Sequence, residues 1–135
     1  MKIINKISIL GFHSINLIII IFYLYPGSIL GCYLYNNCYI QPQITPNFTI
    51  TTNFWISSNH FYIFIILSAI GIFAYRNTKK IKFLVKYLFL LSIILELLHI
   101  PIPIRTFEWG DLFGNILGIT LVLIIYKIKD KYVQN

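Results

Sequence analysis

The chain has 135 residues, of which 58% are hydrophobic, 17% aromatic and only 11% charged, with a formal net charge of +7. Soluble domains average about 45–50% apolar and about 25% charged residues, so this composition argues against a water-soluble enzyme. Disorder is set aside too, because it needs low hydrophobicity with high net charge. What remains is an all-α integral membrane protein, built as one compact bundle.

A membrane-crossing helix needs about 20 mostly apolar residues, and four candidates occur in order. The first covers about residues 7–25 and stops at Pro26-Gly27. Lys2 and Lys6 ahead of it have the order of a signal peptide, but the apolar run exceeds the usual h-region of about 7–15 residues, so it reads as a retained helix. An outer loop, residues 26–54, follows; it is uncharged and rich in Tyr, Asn, Thr, Gln and Pro. Its Tyr33–Tyr39 stretch suggests a short hairpin around Asn36-Asn37. Cys32 and Cys38 are the only cysteines, and two readings stand for them: a disulfide, which needs a wider loop than that hairpin, or two free thiols. Asn47-Phe48-Thr49 is a glycosylation sequon. The second helix covers about 55–75, the third about 83–100 as far as Pro101, and the fourth about 111–128.

Orientation follows from the basic residues. Lys2 and Lys6, the group Arg76, Lys79, Lys80, Lys82 and Lys86, and Lys127, Lys129 and Lys131 make up ten of the eleven. With four spans they fall on one side, which the positive-inside rule makes cytoplasmic, together with both termini. The basic residues sit at the edges of apolar runs, so the excess positive charge reads as topology and contact with anionic lipid rather than with nucleic acid. Trp55 and Trp109 fall at the opposite interface as aromatic anchors.

The informative stretch is residues 96–118, where polar residues crowd the junction of the last two spans. Ionisable groups inside a membrane have partners or a task. Ser92, Glu96 and His99 share one stripe of the third helix at spacings of four and three. Asp111, Gly114, Asn115 and Gly118 share a face of the fourth. Gly110, Gly114 and Gly118 form two overlapping GxxxG patterns, a helix-packing device, expected to bring Asn115 against the third helix. At 1.5 Å per residue, Glu96 and Asn115 both lie roughly 6–8 Å inside the outer boundary. His60 opens the second helix on that same side. Antiparallel packing therefore gathers His60, Glu96, His99, Arg105, Asp111 and Asn115 at one level, with Arg105 as the expected counter-ion of Glu96.

These residues form the pattern Glu-x2-His-x-Pro-x3-Arg-x5-Asp-Leu-x2-Asn-x2-Gly, which resembles the signature of the VanZ-like family of small membrane proteins. Glu96, Pro101, Arg105, Asp111, Leu112, Asn115 and Gly118 fall on family positions, and His99 stands where Gln is common. The family also carries Asp-Lys-x2-His at the start of an earlier helix; here His60 matches, with Ile56 and Ser57 in place of Asp and Lys. The resemblance covers about residues 60–128. It implies a multi-pass protein of the bacterial cytoplasmic membrane and cell envelope, in a family named for association with resistance to a glycopeptide antibiotic.

Several chemistries suit the cluster. It can be a structural network that sets helix register, or a site that binds or shields a lipid, a lipid-linked envelope component or an antibiotic, with Arg105 and His60 facing the ligand. An enzymatic reading uses Glu96 and a histidine as proton carriers, but no phosphate loop, nucleophile elbow or metalloprotease helix accompanies it. A metal site from His60, Glu96 and His99 is weakened because Glu-x2-His is half of a carboxylate-bridged motif whose second copy is absent; no cofactor or metal is therefore expected. The alternative function is a non-enzymatic accessory subunit packed against a larger membrane complex. His13, Ser14 and Asn16 of the first helix would then offer a docking face, although hydrogen bonds between helices explain them more simply.

Overall fold

The computed structural model describes residues 2–133, with the side chains of residues 2–4 and 133, Lys2 among them, outside what is described. Helix α1 (Lys2–Leu24) runs the length of the first apolar stretch and ends just before Pro26. Proline lacks the N–H that the next helical hydrogen bond requires. Gly27 then turns the chain at φ +94°, a backbone region that costs glycine little.

The expected hairpin at Asn36-Asn37 is replaced by a short helix, α2 (Ile29–Tyr35). Two capping contacts explain the difference. The Ser28 hydroxyl accepts from the Gly31 N–H at 3.0 Å, and Asn36 adopts a left-handed conformation whose N–H bonds the Gly31 carbonyl. Asparagine tolerates that conformation and ends helices for that reason. The turn it makes carries Cys38 back to Cys32, and the two are joined in a disulfide.

A hairpin does form, further along. β1 (Phe48–Thr51) and β2 (Phe54–Ile56) pair antiparallel, with Phe48 opposite Ile56 and Thr49 opposite Trp55. Aromatic and β-branched side chains favour this pairing. The second long helix, α3 (Ser58–Tyr75), therefore starts three residues later than the apolar run suggested. Asn47 caps it from the loop, its side-chain oxygen accepting from the Ser58 N–H at 3.2 Å.

Helix α4 (Ile81–Leu98) and helix α5 (Trp109–Val133) complete the chain. Among the described residues the fold is thus five helices and one small two-stranded sheet. Three segments are long and apolar enough to cross a membrane: Asn5–Leu24, Ser58–Tyr75 and Trp109–Tyr132. Helix α4 has comparable length but carries Lys82, Lys86 and Glu96.

Helix α3 lies at the centre, packed on α1, α4 and α5. Phe12, Phe64, Leu67, Leu88, Leu95 and Ile119 are fully buried between them. The glycine face of α5 meets α3 and β2, not α4, the preceding helix to which the sequence pattern pointed. A Cβ on Gly110 would lie 2.6 Å from the Trp55 carbonyl, one on Gly114 2.7 Å from that of Ser57, and one on Gly118 2.5 Å from that of Phe61. The two backbones approach closely because α5 offers no side chains along this seam. The polar spot of α1 makes contacts between helices: His13, itself exposed, bonds the Tyr75 hydroxyl at 2.8 Å, and the buried Asn16 amide donates to Tyr87, while Ser14 is exposed.

Candidate functional site

One end of the bundle collects the end of α1, helix α2, the hairpin, the start of α3, the end of α4 and the start of α5. Tyr23 is its hub. The last turn of α1 places its hydroxyl against Asn115 of α5, donating to Oδ1 at 2.9 Å. Its ring lies edge-on to His60 at 4.8 Å and stacks with His99 at 6.1 Å. Its backbone carbonyl accepts from His99 Nε2 at 3.0 Å.

That last contact settles a proton. A carbonyl only accepts, so His99 carries hydrogen on Nε2. His99 Nδ1 faces Glu96 Oε1 at 3.4 Å. Glu96 Oε1 also accepts from the Glu108 backbone N–H at 2.9 Å. Across the cluster, His60 Nε2 lies 3.3 Å from Asp111 Oδ2.

Burial makes these contacts consequential. Glu96 and Asn115 are 0% exposed, His99 1% and His60 4%. Polar groups so deep are costly unless bonded. Yet His60 Nδ1, Glu96 Oε2 and Asn115 Nδ2 have no hydrogen-bond partner among the described residues. Buried groups left in this way usually mark bound water, an ion or a chemical role.

Arg105 stands apart from the acids. It makes no ion pair within 4.0 Å among the described residues, and the expected Glu96–Arg105 pair is not formed. The two prolines and Ile104, which holds a positive φ of 69°, carry the chain outward after α4. Arg105 Nε instead donates to the Tyr25 carbonyl at 3.4 Å. There it lines a cavity of about 130 Å³ with Tyr23, Ser28, Gln41, Asn59 and His60, room for several waters or a headgroup-sized anion. The loop over this cavity is pinned from α3: Asn59 donates to the Pro42 carbonyl at 2.7 Å and accepts from the Ile44 N–H at 2.9 Å. The Ser58 hydroxyl donates to the Thr45 carbonyl at 2.5 Å.

His60, Glu96, His99, Asp111 and Asn115 are thus brought together, while Arg105 reaches the same region through the cavity wall. Gly110, Gly114 and Gly118 lie along the seam below. Cys32 and Cys38 tie the turn that carries the loop. Sequence reasoning missed Tyr23, although a tyrosine one helical turn before Pro26, at the level of the other polar groups, is a readable signal. It also missed Asn59, whose role depends on a loop with no periodicity. Comparisons with protein-family models, with curated proteins and with solved structures return no match to this chain.

Proposed function

We propose that this is a VanZ-like, four-span protein of the bacterial cytoplasmic membrane that binds an anionic headgroup at the outer leaflet. The ligand class is a lipid, or a lipid-linked envelope component, bearing phosphate or carboxylate. The observation that carries this reading is the cavity wall formed by Arg105, whose charge is opposed by no carboxylate within ion-pair distance among the described residues. A guanidinium presents a planar donor fork suited to such anions. Ser28 and Gln41 line the same cavity as neutral polar groups among mostly apolar side chains, and tyrosine and tryptophan at this end suit the headgroup layer.

The fourth span is α4. Its 18 residues reach about 27 Å, and Lys82 and Lys86 occupy its first turns, from which they extend to the interface. Glu96, its remaining charge, is buried inside the bundle, so lipid does not meet it. Both termini then lie with the basic connections in the cytoplasm. After mild reduction, Cys32 and Cys38 are expected to react with a membrane-impermeant maleimide added outside sealed spheroplasts. Labelling confined to inverted vesicles would reverse the topology.

Headgroup binding is tested in nanodiscs by native mass spectrometry, with phosphatidylglycerol against phosphatidylcholine. Wild type is expected to retain the anionic lipid, and Arg105→Gln to lose at least about tenfold in its retention, the scale of one charge-assisted contact. Equal retention by both proteins would reject the assignment of Arg105.

A further inference from the structure

The acids at this end of the bundle, Glu96 buried and Asp111 partly buried, suit a different ligand from the one Arg105 faces. One donor atom from each of His60, Glu96 and Asp111 lies within 4.8 Å of the other two. His60 Nε2 and Asp111 Oδ2, 3.3 Å apart, are separated by about the edge of a tetrahedron built on metal–ligand bonds of about 2.0–2.1 Å. The three come from α3, α4 and α5, so one ion would join three helices.

Two further observations point the same way. Glu96 Oε2 is buried without a hydrogen-bond partner, while Oε1 of the same carboxylate is held by the Glu108 N–H and His99. A carboxylate fixed by one oxygen and free at the other is the arrangement in which outer partners orient a metal ligand. Charge also needs balancing: among the described residues the ion-pair partners of buried Glu96 and partly buried Asp111 are the histidines His99 and His60, charged only when protonated. No lysine or arginine lies within ion-pair distance, and a carboxylate taken out of water without a fixed counter-charge is expensive.

We propose that His60, Glu96 and Asp111 form a binding site for a divalent first-row metal ion, zinc being the best fit to one imidazole and two carboxylates. His99 is not a ligand, since Nε2 is spent on the Tyr23 carbonyl and Nδ1 on Glu96. Three protein ligands leave the ion an open position, as in zinc sites that bind water or substrate. The site goes beyond the headgroup reading and does not rest on it, although His60 belongs to both the triad and the cavity wall.

The test uses the full chain, purified in detergent without a polyhistidine tag, stripped with chelator and reloaded with zinc or cobalt. Wild type is expected to hold about one zinc per chain and to give the visible absorption of low-symmetry Co²⁺. Asp111→Asn and Glu96→Gln should weaken zinc binding by at least about tenfold. His13→Asn and Arg105→Gln should leave it unchanged, and Arg105→Gln then separates metal binding from lipid retention. Should the acid variants fail to fold, wild-type stoichiometry and the loss of the cobalt spectrum in His60→Gln decide. A wild-type protein that takes up no zinc, or an Asp111→Asn protein that holds it as tightly, would overturn the proposal.

Discussion

Gly118→Ala is expected to destabilise the bundle by about 2–3 kcal/mol, and Gly118→Leu to prevent assembly, as overpacking of a tight seam does. The new Cβ would stand 2.5 Å from the Phe61 carbonyl oxygen, 3.0 Å from the Ile65 nitrogen and 3.1 Å from the Phe64 Cβ. Two of these are backbone atoms of a central helix, so no rotamer change relieves the clash. The helices must separate, and separation reopens the core contacts of Phe64 and Ile119. Gly114→Ala should act on function as well, because its Cβ would press on the Ser57 carbonyl at 2.7 Å and the His60 Cβ at 3.2 Å. Gly11→Ala is the control: nothing lies within 4 Å of that Cβ, and removing a mid-helix glycine should stabilise by about 0.5–1 kcal/mol. Thermal melting in detergent compares the three. Equal melting of Gly118→Ala and wild type would mean that α3 and α5 are not packed along this face.

Glu96→Leu is expected to cost about 3–5 kcal/mol, the scale of breaking a buried pair and leaving one partner unsatisfied. The Glu108 N–H would lose its acceptor and His99 Nδ1 would face hydrocarbon. Glu96→Gln keeps an oxygen for the Glu108 N–H and should cost only about 1–2 kcal/mol. Coupling separates the readings of this residue. In a double-mutant cycle Glu96 should couple to His99 by more than about 1 kcal/mol, and to Arg105 by clearly less, because the first pair touches and the second does not. Adding Arg105→Leu to Glu96→Leu therefore should not restore stability. Recovery in that double variant would show that the two charges neutralise each other in the folded protein.

Composition and hydropathy were enough to point to a mostly helical chain and to locate three helices long and apolar enough to cross a membrane. Both depend on a local quantity, the transfer of apolar side chains out of water. The level of the polar groups was also legible, because helix rise converts residue number into depth. That is why His60, Glu96, His99, Asp111 and Asn115 could be named together before any contact was known. Non-local choices were not legible. The loop from Pro26 to Asn53 has no periodicity to announce its short helix, which rests on local caps from Ser28 and Asn36, and its anchoring depends on bonds from Asn59 to Pro42 and Ile44, 17 and 15 residues away. Which helix meets the glycine face was equally hidden, since GxxxG announces close approach but not the partner. The pairing of charges was decided last, by tertiary structure alone. Sequence proximity suggested Glu96 with Arg105, but Ile104 holds a left-handed turn that sends Arg105 outward to Tyr25, and the parallel packing of α5 on α3, both starting at this end, delivers Asp111 to His60 instead. Proximity along the chain limits what can meet, whereas the packing of three helices selects which of those charges do.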